Sequence, residues 1–271
     1  MSDILRNNMI LDSFKLDGKV ALVTGGTSGI GLAAAQKLAA EGCMVAICGR
    51  DKGRLDAAVA AVGTPGARGF VADLREAEDV ASLVRSVAQA FGGVDIVVSN
   101  AGTHLPGRID QVSGRDLLRH FQTKVLGVWE LARQVVPLMK TRGGGRFIVI
   151  IGQAGKVPQA NAIASTVINA AQHAFVKSLS DDLAPQGILV NAVCPSRIKS
   201  PLTDALSLHN EIYYGRSLEQ QESKWGSEVP LGHWGTPEDI ANAVAFLASQ
   251  RAGFIVGANI DVDGGHQRSI F

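Results

Sequence analysis

The sequence predicts an α/β domain: a doubly wound, seven-stranded parallel sheet with helices on both faces. Three observations carry that prediction. Apolar runs alternate with helical stretches, the runs are apolar almost without interruption, as in Phe147-Ile148-Val149-Ile150-Ile151, and a glycine-rich turn joins the first run to a helix. A strand with no polar side belongs in a parallel sheet covered on both faces. With 271 residues, 46% hydrophobic and 19% charged, the chain can bury one large core, and a single domain over 1–271 is expected.

The first strand is Val20 to Thr24. It leads into Thr24-Gly25-Gly26-Thr27-Ser28-Gly29-Ile30-Gly31 and then a helix-forming stretch, Leu32 to Glu41. Glycine lets the backbone turn tightly and approach a phosphate, and the helix start behind it offers unpaired N–H groups with a partial positive charge. This context suits a dinucleotide pyrophosphate. Met44 to Gly49 is the second strand, and Asp51 is placed to cap a helix over Lys52 to Val62. Arg68 to Ala72, Asp95 to Ser99, Arg146 to Ile151, Ile188 to Val193 and Asn259 to Val262 complete the seven strands. Ligands of such a sheet sit at the carboxyl ends of its strands. The rhythm breaks over 197–235, which is polar, glycine-containing and aromatic with only a weak helical pattern.

Other features exclude function classes. A formal net charge of +1 gives no reason to expect a nucleic-acid or membrane surface. The N-terminal extension, 1–16, carries Asp3, Arg6 and Asp12 among short apolar pieces, so it lacks a secretory core, and no later run approaches a membrane span. A cytoplasmic protein is expected. Cys43, Cys48 and Cys194 lack zinc-type spacing and read as reduced core thiols, with no metal site expected.

The Thr-Gly-x-x-x-Gly-x-Gly spacing is joined in order by Asp73-Leu74, Ser99-Asn100-Ala101-Gly102, Val190-Asn191-Ala192-Val193-Cys194-Pro195 and Asp261-Val262-Asp263-Gly264-Gly265. From Lys19 to Gly265 the chain resembles the compact one-domain form of the short-chain dehydrogenase/reductase family. The resemblance implies a Rossmann domain, a nicotinamide cofactor, a small-molecule substrate and a homo-oligomer, tetramer or dimer, with Gly265 to Phe271 at an interface. It assigns the cofactor phosphates to Gly25, Thr27, Ser28, Gly29, Ile30 and Gly31, and adenine to Asp73 and Leu74. Asn100, Ala101 and Gly102 would pass beneath the cofactor, the backbone of Ile198 would meet the nicotinamide amide, and Ser200 would offer a hydroxyl where the family has threonine. Ser196 stands in place of a family glycine. The irregular segment would cover the substrate, with Leu202 to Trp225 as the candidate lid.

The cofactor expected is NADP(H). Members that use NAD place an acid at the end of the second strand to receive the adenine ribose, and that position is Gly49, followed at once by Arg50, a partner for the extra phosphate. The plain alternative is a solvated Arg50 beside a helix-capping Asp51.

The family's proton-handling residues are where the resemblance breaks. Registering on Gly155 and on Lys177-Ser178-Leu179 puts Gly152 at the family serine, Ser165 at the tyrosine and Asn169 at the lysine, while Gly127 fixes Lys124 at the asparagine. Asparagine and lysine have changed places, so the pocket keeps one amide and one ammonium. Alternatively, Lys124 snorkels to solvent and Asn169 bonds locally. Ser165 is a poor acid. The candidate proton donors are Lys124, directly or through water, then His104 on the loop after Gly102, then Tyr213 and Tyr214 in the presumed lid. Gln153 offers an amide to a carbonyl or merely ends a strand. His120, His173, His209, His233 and His266 have neither metal spacing nor a base partner and are expected to be structural or exposed. Three functions compete: an NADPH-dependent reductase of a carbonyl, imine or conjugated alkene with a non-standard donor; an inactive nucleotide-binding subunit that joins an active homologue; and a non-redox isomerase or dehydratase.

Overall fold

The computed structural model describes residues 14–201, 203 and 217–268. Its sheet holds β1 (Val20–Thr24), β2 (Met44–Gly49), β3 (Ala67–Val71), β4 (Ile96–Ser99), β5 (Gly145–Ile150), β6 (Ile188–Pro195) and β7 (Asn259–Val262), all parallel, in the order β3-β2-β1-β4-β5-β6-β7. The strands read from the sequence agree to within one or two residues at each end.

Alternation along each strand divides the core between the faces. On one face, Ala21 and Val23 join Ile47, Val98, Ile148 and Val193 beneath α1 (Gly29–Ala40), α2 (Lys52–Val62) and α8 (Pro237–Ala248). On the other, Val20 and Leu22 join Val97, Phe147, Val149 and Val190 beneath α3 (Ala77–Phe91), α5 (Gly127–Thr141) and α6 (Ile163–Leu183). The remaining helices are α4 (Gly114–Phe121) and α7 (Leu218–Glu228). Cys43, Cys48 and Cys194 are buried free thiols, and desolvation pushes each up to about 12, which keeps them protonated and inert.

Strand order reverses between β1 and β4, paired with Thr24 opposite Ser99, and this opens a crevice at their carboxyl ends. Thr24 closes its floor, its buried hydroxyl accepting from the backbone N–H of Asn100 at 3.1 Å and of Ala101 at 3.2 Å. Of the predicted lid, residues 202 and 204–216, with Tyr213, Tyr214 and His209, lie outside the described residues, as do 1–13 and the tail from Ser269. No helix among the described residues is long and apolar enough to cross a membrane.

Candidate active site

The glycine turn is shaped by contacts that admit no side chain. Gly25 has φ +64°, and a Cβ there would stand 2.8 Å from Ala101 Cα; one at Gly31 would strike the carbonyl of Gly25. Asn100 clamps the turn from the other side, its amide donating to the carbonyls of Thr24 at 3.2 Å and Gly25 at 3.1 Å. Behind it, α1 begins with no side-chain cap from Ser28, whereas Asp51, Ser113, Ser217 and Thr236 cap α2, α4, α7 and α8. An uncapped helix start beneath a glycine cradle fits a pyrophosphate, which would supply the missing acceptors.

At the end of β2, Gly49 packs tightly against Thr27. A Cβ would lie 2.6 Å from Thr27 Cγ2, so an acid cannot enter without displacing Thr27. Arg50 is exposed, and Arg54 Nη2 donates to Ser28 Oγ at 3.3 Å. Asp51 does cap α2, accepting from Arg54 N at 2.8 Å. Asp73 is held by Arg75, whose hydrogen bonds are the main cause that keeps its carboxyl below the usual range. The Leu74 side chain is buried in the core, which leaves only its main chain for an adenine contact. Ile198 is likewise a core side chain, its backbone bridging to Gly235.

A cleft of about 220 Å³ gathers Gly25, Ser28, Gly29, Ile30, Asn100, Gly102, His104, Lys124, Ser165, Asn169 and Ser200 from the sequence-predicted set; Thr27, Gly31, Arg50, Asp73, Leu74, Ala101 and Ile198 lie outside its lining. Lys124 comes from a π-helical turn, Gln122–Leu126, between α4 and α5, a geometry that frequently marks functional positions. Its stem rests on Gly102, where a Cβ would stand 3.1 Å from Lys124 Cγ, Cδ and Cε. Its carbonyl receives Gln172 Nε2 at 2.7 Å. Lys124 Nζ donates to Asn169 Oδ1 at 2.7 Å, and Asn169 Nδ2 donates to the Gly152 carbonyl at 3.0 Å. Lys124, Asn169 and Gly152 therefore interlock, since a Cβ at Gly152 would press to 3.0 Å from Asn169 Nδ2. Desolvation alone pushes the Lys124 ammonium down to about 8. Ser165 is spoken for: its Oγ accepts from Leu105 N at 3.0 Å and donates to Leu105 O at 3.2 Å.

The cleft opens into a chamber of about 760 Å³ that shares His104, Gly152, Asn169 and Pro195 with it. Among the described residues no group of three His, Cys, Asp or Glu is placed to hold a metal.

Residues 25–267 match the family model described as Enoyl-(Acyl carrier protein) reductase. The chain belongs to the short-chain dehydrogenase/reductase family. Among its relatives is the 3-oxoacyl-[acyl-carrier-protein] reductase FabG of Haemophilus influenzae, 33% identical over 92% of this chain and 98% of the relative. Among solved structures, L-sorbose reductase from Gluconobacter frateurii complexed with NADPH and L-sorbose superposes with a TM-score of 0.90 at 30% identity, over 95% of this chain and 100% of that one. A variant of actinorhodin polyketide ketoreductase with NADPH gives 0.89 at 31% identity, over 93% and 98%.

His266, expected to be structural or exposed, lines the chamber, with its Nδ1 2.9 Å from Ser196 Oγ and within 3.1 Å of the Gln153 amide. Sequence reasoning missed this group because its members lie 70 and 113 residues from His266. The signal available was that Ser196 departs from a family glycine. His120 and His173 keep local partners, Thr103 and Asn259.

Proposed function

We propose that the chain is an NADP(H)-dependent oxidoreductase that reduces a carbonyl, imine or conjugated alkene of a small molecule, with Lys124 as proton donor in place of the family tyrosine. The observation that carries this reading is the Lys124–Asn169 contact at the floor of the cleft, with an ammonium whose pKa lies near 8. When bound, NADPH supplies hydride. Its pyrophosphate would be held by the turn from Gly25 to Gly31 and the open start of α1, and its extra phosphate by Arg50, with Gly49 standing where a competing acid would sit. Both structures compared above carry NADPH, which supports the choice.

Lys124 Nζ holds the proton that the substrate oxygen or nitrogen takes up. Asn169 fixes that ammonium, Gly152 fixes Asn169, and burial lowers the pKa so that the proton leaves readily near neutral pH. Ser165 acts as a brace for the Leu105 backbone. The same bracing favours the second reading, a nucleotide-binding subunit without turnover, because it removes the hydroxyl at the tyrosine position from proton transfer. We also propose a homo-oligomer, on the strength of Leu126, Trp129 and Val167, each half-exposed on the π-turn, α5 and α6.

The test is to titrate NADPH by fluorescence, then follow loss of reduced-nicotinamide absorbance with ketones, imines and enones. Turnover that falls about 10²- to 10⁴-fold in Lys124→Ala, with NADPH affinity kept, supports the donor role. Tight NADPH binding without turnover on any class supports the second reading.

A further inference from the structure

The chamber has a polar wall that hydride and proton transfer leave without a task. His266 supplies its centre. Desolvation, the largest cause, holds this imidazole below its ordinary value, so the ring is neutral at pH 7. Its Nδ1 lies 2.9 Å from Ser196 Oγ, 3.0 Å from Gln153 Nε2 and 3.1 Å from Gln153 Oε1, and the Glu228 carboxylate on the opposite side of the ring favours the tautomer in which Ser196 donates to Nδ1 and the ring proton sits on Nε2. Among the described residues, Nε2 has no hydrogen-bond acceptor. Glu228 Oε2 stands 3.8 Å away, beyond hydrogen-bond reach, and is anchored by Arg197 Nη2 at 2.6 Å.

A neutral donor and an anionic acceptor thus border the chamber side by side, too far apart to satisfy each other. The group that complements both is a hydroxyl, which accepts from Nε2–H and donates to the carboxylate. A carbonyl or ether oxygen would set lone pairs against Glu228, a carboxylate or phosphate would set charge against it, and an alkyl chain would leave the donor dry. We propose that the substrate carries a hydroxyl, separate from the group reduced, that is held between His266 Nε2 and Glu228. The substrate class is therefore a hydroxylated carbonyl compound rather than a plain acyl chain. This deepens the reductase reading and rests on it for the word substrate.

The test uses 2-hexanone, its derivatives with a hydroxyl moved carbon by carbon along the chain, and a 2-ketone ending in a carboxylate. Binding to the protein saturated with NADP⁺, which cannot reduce them, is measured by calorimetry; kcat/KM is measured separately with NADPH. At least one hydroxyketone is expected to bind about 10- to 100-fold tighter than 2-hexanone. His266→Phe and Glu228→Gln should each abolish that preference while NADP⁺ affinity, the check on folding, stays unchanged. Glu228→Gln keeps an amide oxygen for Arg197, so it serves if the histidine variant fails to fold. No preference for any hydroxyketone, a preference that survives in the folded variants, or tightest binding by the carboxylate overturns the proposal. Hydroxyl-dependent binding without turnover would uphold it and overturn the reductase reading alone.

Discussion

Lys124 and Asn169, 45 residues apart in the chain, meet through a 2.7 Å hydrogen bond in which the lysine donates to the amide oxygen. The amide has a second obligation to Gly152, so it cannot turn away to release the lysine without losing two bonds. An ammonium placed this way is fixed in position yet poorly solvated. Lys124→Met should therefore reduce kcat by about 10²- to 10⁴-fold with little change in NADPH dissociation constant, measured by turnover and fluorescence titration.

The pH profile follows from the same burial. Lys124 is charged below about 8, so carbonyl reduction should be level there and fall as pH rises through that value, while alcohol oxidation should rise. His120 and His173 are held below the ordinary imidazole value chiefly by desolvation, so neither supplies a limb near 8. Asn169→Asp places a carboxylate against the ammonium and should move the limb upward by about one unit or more. Stability carries the matching sign. The unfolded chain binds the Lys124 proton up to 10.5 and the folded one only to about 8, so stability rises with pH across that window. Chemical denaturation at pH 7.5 and pH 10 should show this gain in the parent protein and lose it in Lys124→Met.

Coenzyme preference turns on Gly49 and Thr27. Arg50→Ala should weaken NADPH binding about 10- to 100-fold and leave NADH binding unchanged. Gly49→Asp alone should bind neither coenzyme well and melt at a lower temperature, because its Cβ meets Thr27 Cγ2. Adding Thr27→Ala removes the obstruction and should shift preference to NADH, as read from the two dissociation constants.

Building in the residues the resemblance implies at these positions requires more than two substitutions. Ser165→Tyr with Asn169→Lys sets two ammonium groups in contact, since Lys124 already occupies that space, and strips Leu105 of both bonds to the serine. The triple variant with Lys124→Asn relieves the repulsion. It should melt above the double variant and reduce simple ketones faster, whereas a triple variant no better than the double would remove the idea that the two positions exchanged roles.

The strands, their number and the crevice were legible because each rests on local signals: apolar runs buried on both faces, and a glycine turn whose backbone is forced by neighbours such as Ala101. That Lys124 and Asn169 share one pocket was one of two sequence readings, and their 2.7 Å contact is a long-range one that no local pattern could settle. The π-helical turn under Lys124 was not legible, since no residue in Gln122–Leu126 breaks a helical pattern. Nor was the wall formed by Gln153, Ser196 and His266, which exists only because strand order sets the ends of β5, β6 and β7 beside one another. The closing of Ser165 onto Leu105 belongs to the same class, a contact 60 residues long in sequence.

The wide turn at Gln122–Leu126 also constrains how this protein can vary. Each residue in a regular helix advances about 100° around the axis, so losing a single codon there would rotate everything upstream relative to everything downstream. Either the amine would leave the cleft, or Gly127 would no longer face Leu74, where a Cβ would stand 2.5 Å from the carbonyl oxygen. Exposed loops elsewhere can gain or lose residues, but this coil must keep its count, and a sister protein one residue shorter at that point would have to obtain its acid from another part of the chain.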